Sequence, residues 1–267
     1  ADSVGKEITT PREASVAEVR AAIEDANADI NRLIMAGRFE DAVLRILTKS
    51  GTLKLDEIGM NDRNLGALQN AIKRPYGLIL CVGPTGSGKT TTLHSALAEI
   101  NKPNVKIWTA EDPVEITQAG LRQVQVKPKI GLDFARIMRG FLRLDPDIIM
   151  IGEMRDRETA ATAIEASLTG HLVLSTLHTN NAPETLTRLL DMGMNPLNIA
   201  DSFLAVVAQR LVRKICPHCK RPATVGDRLL EDSGLDPDRY MDFVFYEGAG
   251  CIDCNGTGFR GRLAIAE

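Results

Sequence analysis

Gly83-Pro84-Thr85-Gly86-Ser87-Gly88-Lys89-Thr90 decides how this chain folds. The stretch fills every fixed position of the phosphate-loop pattern G-x-x-x-x-G-K-[ST]. Before it, Gly77 to Val82 is a short apolar run of buried-strand type, and after it Thr91 to Ile100 reads as a helix. A strand, a glycine loop and a helix start present clustered backbone N–H groups and the positive end of a helix dipole to an anion. In such a loop Lys89 neutralises the β- and γ-phosphates of a nucleotide, and the Thr90 hydroxyl holds Mg²⁺. The nucleotide-contacting set is therefore Gly83, Pro84, Thr85, Gly86, Ser87, Gly88, Lys89, Thr90 and Thr91.

Outward from the loop, strand and helix signals alternate. Val105 to Thr109 and Leu121 to Val126 read as strands, and Phe134 to Leu144 reads as a helix. Ile148 to Ile151 is a buried strand, Arg157 to Leu168 a helix, and Leu172 to Thr176 a strand again. This alternation predicts an α/β fold whose mostly parallel sheet has helices on both faces, with ligands outside the carboxyl ends of the strands. Upstream, Ser15 to Arg38 carries apolar residues at helical spacing, Phe39 to Leu47 is an apolar run containing Arg45, and Leu65 to Ile72 suggests a short helix.

Carboxylates fall where that fold places chemistry. Glu111-Asp112-Pro113-Val114-Glu115 follows a strand, and its proline excludes regular helix. Phosphoanhydride hydrolysis needs a carboxylate to orient water and acidic groups around Mg²⁺, although a solvated acidic turn has the same composition. Ile148 to Ile151 runs through Gly152 into Glu153, the form of a Walker B strand, which directs Glu153 at the metal or its waters. Asp145 and Asp147, around Pro146, read as turn and strand-entry residues. His171 and His178 bracket the next strand. His178, at its carboxyl end, could sense the γ-phosphate or be an ordinary hydrogen-bonded histidine.

The 267 residues allow one large domain or two small ones, and 44% hydrophobic content supports a packed core. A net charge of −3 argues against nucleic acid as the main partner. No apolar run approaches the ~18 residues of a membrane span, and no secretory signal opens the chain, so the reading is cytosolic. Cys216-Pro217-His218-Cys219 and Cys251-Ile252-Asp253-Cys254 are two C-x-x-C knuckles 31 residues apart. Four thiolates in a reducing compartment suit structural Zn²⁺, with redox pairs as the alternative. The long interval predicts a small subdomain between the knuckles. Cys81, in the strand before the loop, reads as a buried apolar residue.

Four motifs in order, Gly83 to Thr92, Thr109 to Glu115, Leu142 to Asp156 and Thr169 to Asn180, make the chain resemble the secretion ATPases of type II secretion and type IV pilus assembly, from about Phe39 to Glu267. Glycine at 152 is usual in that family. The resemblance implies a RecA-like core, a homohexamer and ATP hydrolysed between neighbouring subunits to drive pilus or pseudopilus assembly. It assigns Glu153 to the Mg²⁺ shell, Glu115 to the attacking water and Glu111 to holding the acidic loop and metal. His171 and His178 match the family's histidine box, and Arg45 matches an arginine directed at a nucleotide across a subunit boundary. The four-cysteine insert is typical of assembly and type II secretion members and generally lacking in retraction motors.

The implied organisation is an N-terminal helical segment (1–38), a RecA-like core (39–209) and a cysteine-bearing unit (210–267). Family members carry a complete domain before the core and further helices after it, so this chain reads as a fragment or shortened member. The implied partners are an inner-membrane platform protein and a membrane-anchored recruitment protein, with the chain cytoplasmic and peripheral to the bacterial inner membrane. The alternatives are a DNA-uptake or retraction motor of the same superfamily and a nucleotide-gated binding module without productive turnover.

Overall fold

The computed structural model describes residues 52–267 and, as backbone only, two short strands, β1 (Ile8–Thr10) and β2 (Ile46–Thr48), which pair in parallel. The helix expected over Ser15 to Arg38 and Arg45 itself lie outside the described residues.

A seven-stranded sheet organises the rest. Its strands are β3 (Gly77–Val82), β4 (Ile107–Glu111), β5 (Arg122–Gln125), β6 (Ile148–Ile151), β7 (Leu172–Leu177), β8 (Phe203–Ile215) and β11 (Phe259–Ala266), in the order β11-β8-β3-β7-β6-β4-β5. All pairings are parallel except β11 on β8. Every residue of β3, β6 and β7 is buried, which is why those strands read as continuous apolar runs.

The strand period of two divides the core between the two faces. Leu78, Leu80 and Val82 belong to one cluster with Ile149, Ile151 and Val173; Ile79 and Cys81 belong to the other with Met150, Leu172 and Leu174. Helices α3 (Phe134–Phe141) and α4 (Arg157–Leu168) contribute to the first cluster. Helices α1 (Asp62–Ala71) and α2 (Lys89–Ile100) contribute to the second. Truncating a side chain such as Leu80, fully buried, costs about 2–5 kcal/mol.

The helix starts are set by local sequence. Asn61, Asp133, Asp156 and Asn181 each accept a first-turn backbone N–H, at the beginnings of α1, α3, α4 and α5 (Ala182–Asp191). Helix α2 differs: its cap, Gly88, is left-handed and makes no side-chain cap bond. Its first N–H groups are therefore left for something other than a cap.

Strand β8 was not legible as a strand. Its first half pairs with β3 and its second half with β11, running through residues 209 and 210, where the sequence reading begins the cysteine-bearing unit. The two knuckles hang from this β8–β11 pair. Between them, β9 (Lys220–Ala223) and β10 (Phe245–Gly248) form an antiparallel pair, with the short helices Asp227–Asp232 and Pro237–Tyr240 in the connection.

Candidate nucleotide site

The phosphate loop joins β3 to α2 at the carboxyl edge of the sheet. Gly83 and Gly88 have φ of 142° and 88°. A Cβ on Gly83 would collide with the Gln209 carbonyl oxygen, and one on Gly88 would lie 2.9 Å from Gln209 Nε2. Both glycines are thus required twice, by backbone angle and by the approach of β8. Gln209 is itself buried: its Nε2 donates to the Ser87 carbonyl at 2.6 Å, and its Oε1 accepts from Thr92 Oγ1 at 2.7 Å.

Lys89 folds back along the loop, donating from Nζ to the carbonyls of Gly83 (2.8 Å) and Pro84 (3.0 Å). Burial lowers its pKa, opposed by Cys81 and by the negative field of Glu153. Burial also pushes the neighbouring Cys81 thiol up to about 12, so Cys81 is an inert core group. The uncapped start of α2, the glycine turn and this ammonium are a donor set that fits a polyphosphate.

A cavity of about 740 Å³ opens over the loop, and Lys89, Thr90, Glu111, Glu115, Glu153 and His178 all line it. Glu153 follows β6, and its carboxylate is held from both sides. Arg155 Nε donates to Oε2 at 2.7 Å, and His178 Nε2 lies 3.2 Å from Oε1. The Arg155 guanidinium also reaches Asp112 at 3.4 Å. The bond to Glu153 leads the causes that raise the Arg155 pKa.

Glu111, the last residue of β4, is committed differently. Its Oε1 accepts from Thr109 Oγ1 (2.6 Å) and Gln123 Nε2 (2.9 Å), and its Oε2 lies 3.0 Å from His94 Nε2. Desolvation of this buried carboxyl favours the neutral form, but His94, Thr109 and Gln123 outweigh it and hold the pKa below the usual range. Both oxygens are occupied by protein donors, so Glu111 suits the anchoring of its loop better than direct metal ligation.

The two histidines separate. His178 follows β7 at the cavity, whereas His171 precedes the same strand, its Nδ1 3.0 Å from the Ala166 carbonyl. Six strand residues place them about 20 Å apart, and His171 does not line this cavity. Asp147 accepts from Lys106 N–H at 2.6 Å, and Asp145 has a φ of 50°, matching their strand-entry and turn reading.

The four cysteines converge away from the nucleotide cavity. The sulfurs of Cys216, Cys219, Cys251 and Cys254 lie within 4.8 Å of one another, with separations of 3.8 Å (216–251), 3.8 Å (219–254) and 3.7 Å (251–254). A zinc ion with four bonds of about 2.3 Å requires sulfurs about 3.8 Å apart, so the site fits it. Desolvation works against the Cys254 thiolate, but the N–H groups of Cys251 and Gly258 (each 3.2 Å from Sγ) outweigh it and bring its pKa down to about 6.

Sequence reasoning missed four residues at the nucleotide site. Arg155 was legible, two residues beyond Glu153, but no motif assigns it a role. His94 carried only the signal of a histidine on the helix after the phosphate loop, between Leu93 and Ser95. Gln209 and Arg262, the latter lining the cavity from β11, sit on strands that exist only through long-range pairing.

Among relatives, the chain is 54% identical to the type IV pilus assembly ATPase PilB of Myxococcus xanthus over 230 residues, 85% of this chain and 41% of that protein. It is 48% identical to the type II secretion system protein E of Dickeya dadantii over 229 residues, 85% of this chain and 45% of that one. The chain spans less than half the length of these curated relatives. Among solved structures, the pilus retraction motor PilT with bound ADP superposes with a TM-score of 0.57 at 36% identity, covering 63% of this chain and 51% of PilT. The Legionella pneumophila ATPase DotB gives a TM-score of 0.54 at 32% identity, covering 61% and 47%. Residues 12–267 match the model of one family, described as Type II/IV secretion system protein. With a glycine loop after β3, the Glu153 carboxylate after β6 and four converging cysteines beside one mostly parallel sheet, the chain belongs to the Type II/IV secretion system protein family.

Proposed function

We propose that the chain is the ATPase portion of a motor that hydrolyses ATP to drive assembly of a type IV pilus or of the pseudopilus of type II secretion. The observation that carries this reading is the gathering of Lys89, Thr90, Glu115, Glu153 and His178 around one cavity over the phosphate loop. Lys89 releases the Gly83 and Pro84 carbonyls to neutralise the β- and γ-phosphates. Glu115 orients the attacking water, and His178, touching Glu153, responds to the γ-phosphate. Thr90 and Glu153 are the residues that would hold Mg²⁺, which supplies charge neutralisation at the phosphates.

In this proposal residues 39–209 are the RecA-like core, and 1–38 are an N-terminal segment whose helical part is Ser15 to Arg38. Residues 210–267 are a zinc-bearing unit held together by Cys216, Cys219, Cys251 and Cys254. Six copies form a ring, and Arg45 reaches the nucleotide of a neighbour. The ring works at the cytoplasmic side of the bacterial inner membrane, against a platform protein and a membrane-anchored recruitment protein, without nucleic acid. Among the described residues no helix is long and apolar enough to cross a membrane. Within the family, the cysteine cluster favours assembly over retraction.

Phosphate release under saturating MgATP tests turnover. Wild type should release phosphate, and Glu115→Gln should bind nucleotide but release almost none. Equal release by both would remove Glu115 from the mechanism, and no release by either would favour a gated binding module. Mixing Glu115→Gln with Arg45→Ala chains should restore part of the activity, because some interfaces then pair an intact carboxylate with an intact arginine.

A further inference from the structure

Four residues close a hydrogen-bonded ring around the base of the acidic loop. His94 Nε2 meets Glu111 Oε2 (3.0 Å), and Gln118 Nε2 meets His94 Nδ1 (3.2 Å). The Gln118 backbone N–H donates to Gln123 Oε1 (2.9 Å), and Gln123 Nε2 returns to Glu111 Oε1 (2.9 Å). The ring spans residues 112–117, the segment that carries Glu115. Gln123 Nε2 also donates to the Ile116 carbonyl at 2.8 Å, tying the far side of the loop to the same amide.

The protonation pattern of the ring follows from its partners. Gln118 Nε2 lies 2.8 Å from the His94 carbonyl oxygen, which can only accept. That atom is therefore the amide NH₂, and its second hydrogen faces His94 Nδ1. Nδ1 accepts, so Nε2 carries the hydrogen and donates to the Glu111 carboxylate. His94 is fully buried, and a neutral imidazole bonded at both nitrogens needs no further partner.

His94 sits on α2, one turn after Thr90, so it shares a helix with the two residues proposed to hold phosphate and metal. Its imidazole thereby joins the nucleotide-holding helix to the loop proposed to orient water. We propose that His94 is a positioning residue that fixes the Glu115 loop relative to the phosphate held by α2, with Gln118 and Gln123 completing the latch. This rests on the reading of Glu115 as the water-orienting carboxylate. A displacement of about 1 Å between reacting groups can cost about 10²-fold in rate, so a latch of this kind acts on turnover rather than on affinity.

The experiment compares wild type with His94→Phe, which keeps a planar ring and removes both hydrogen bonds, and with His94→Gln, whose amide can place a donor near the position of Nε2. Three quantities are read: kcat and KM for MgATP, ADP affinity by titration, and amide hydrogen exchange of residues 112–117 with ADP bound. His94→Phe should lower kcat roughly 10- to 100-fold, leave ADP affinity within about twofold, and speed exchange in the loop while α2 stays protected. His94→Gln should recover most of both kcat and loop protection. Unchanged loop exchange in His94→Phe, or loss of ADP affinity in parallel with kcat and no recovery in His94→Gln, would overturn the proposal. Loop exchange is readable even if wild type shows no turnover, so failure of the latch and failure of the ATPase reading are distinguishable.

Discussion

Gln209 and Ser87, 122 residues apart in sequence, are joined by a 2.6 Å hydrogen bond from the Gln209 side-chain amide to the Ser87 carbonyl. The other end of that amide accepts from Thr92. The phosphate loop is therefore braced from β8, the strand that leads directly to the first cysteine knuckle. Gln209→Leu leaves a buried carbonyl and a buried hydroxyl without their partner, at a cost of about 1–3 kcal/mol. The denaturant midpoint should fall accordingly, with weaker ADP binding because the loop loses its brace. Combining Gln209→Leu with Thr92→Val should cost less than the sum of the two, since they share one bond. Strict additivity would show that the Gln209–Thr92 hydrogen bond contributes nothing to stability.

Acid should act on the fold partly through Glu111. Its carboxyl is held below the usual value of 4.5 in the folded chain. The stability it contributes is complete above the unfolded value and is lost as pH falls through the lower folded value. The expected outcome is a stability gap between wild type and Glu111→Gln that is constant from pH 7 to about 5 and shrinks below about 4.5. Urea midpoints across that range measure it. A gap that widens on acidification would contradict the three-donor environment of Glu111.

The cysteine unit should behave as one metal-dependent body. Metal analysis should give one zinc per chain, and a chelator should speed amide exchange between Cys216 and Gly258 far more than in β3, β6 and β7. Structural zinc sites contribute on the order of 10 kcal/mol in small peptides, so the contrast should be large. Cys219→Ser should reproduce the chelated pattern. A metal-free chain with full protection of this unit would remove zinc from the account.

The legible parts of the chain were those specified by neighbours in sequence. The helix Arg157–Leu168 and the strands around Ile149 and Leu174 read directly, because burial on both faces leaves continuous apolar runs and Asp156 supplies a local cap. The convergence of the four thiols followed from two short, self-contained knuckles. What was hidden depends on pairing at a distance. Strand β8 alternates poorly because its halves meet different environments, one against β3 and the other against β11. The commitment of Glu111 to His94, Thr109 and Gln123 could not be read from an acidic run that equally suits metal binding. A motif containing His171 and His178 says nothing of the strand that holds them about 20 Å apart.

Nucleotide binding at the phosphate loop is the claim on which the rest depends, and it is measured most directly by titrating the chain with ADP in the presence of Mg²⁺. Lys89 is the buried cation of the loop, hydrogen-bonded to the Gly83 and Pro84 carbonyls. Wild type should bind one ADP per chain, and Lys89→Ala should lose that binding while keeping the thermal unfolding of the core. A Lys89→Ala chain that binds ADP as tightly as wild type would contradict the account.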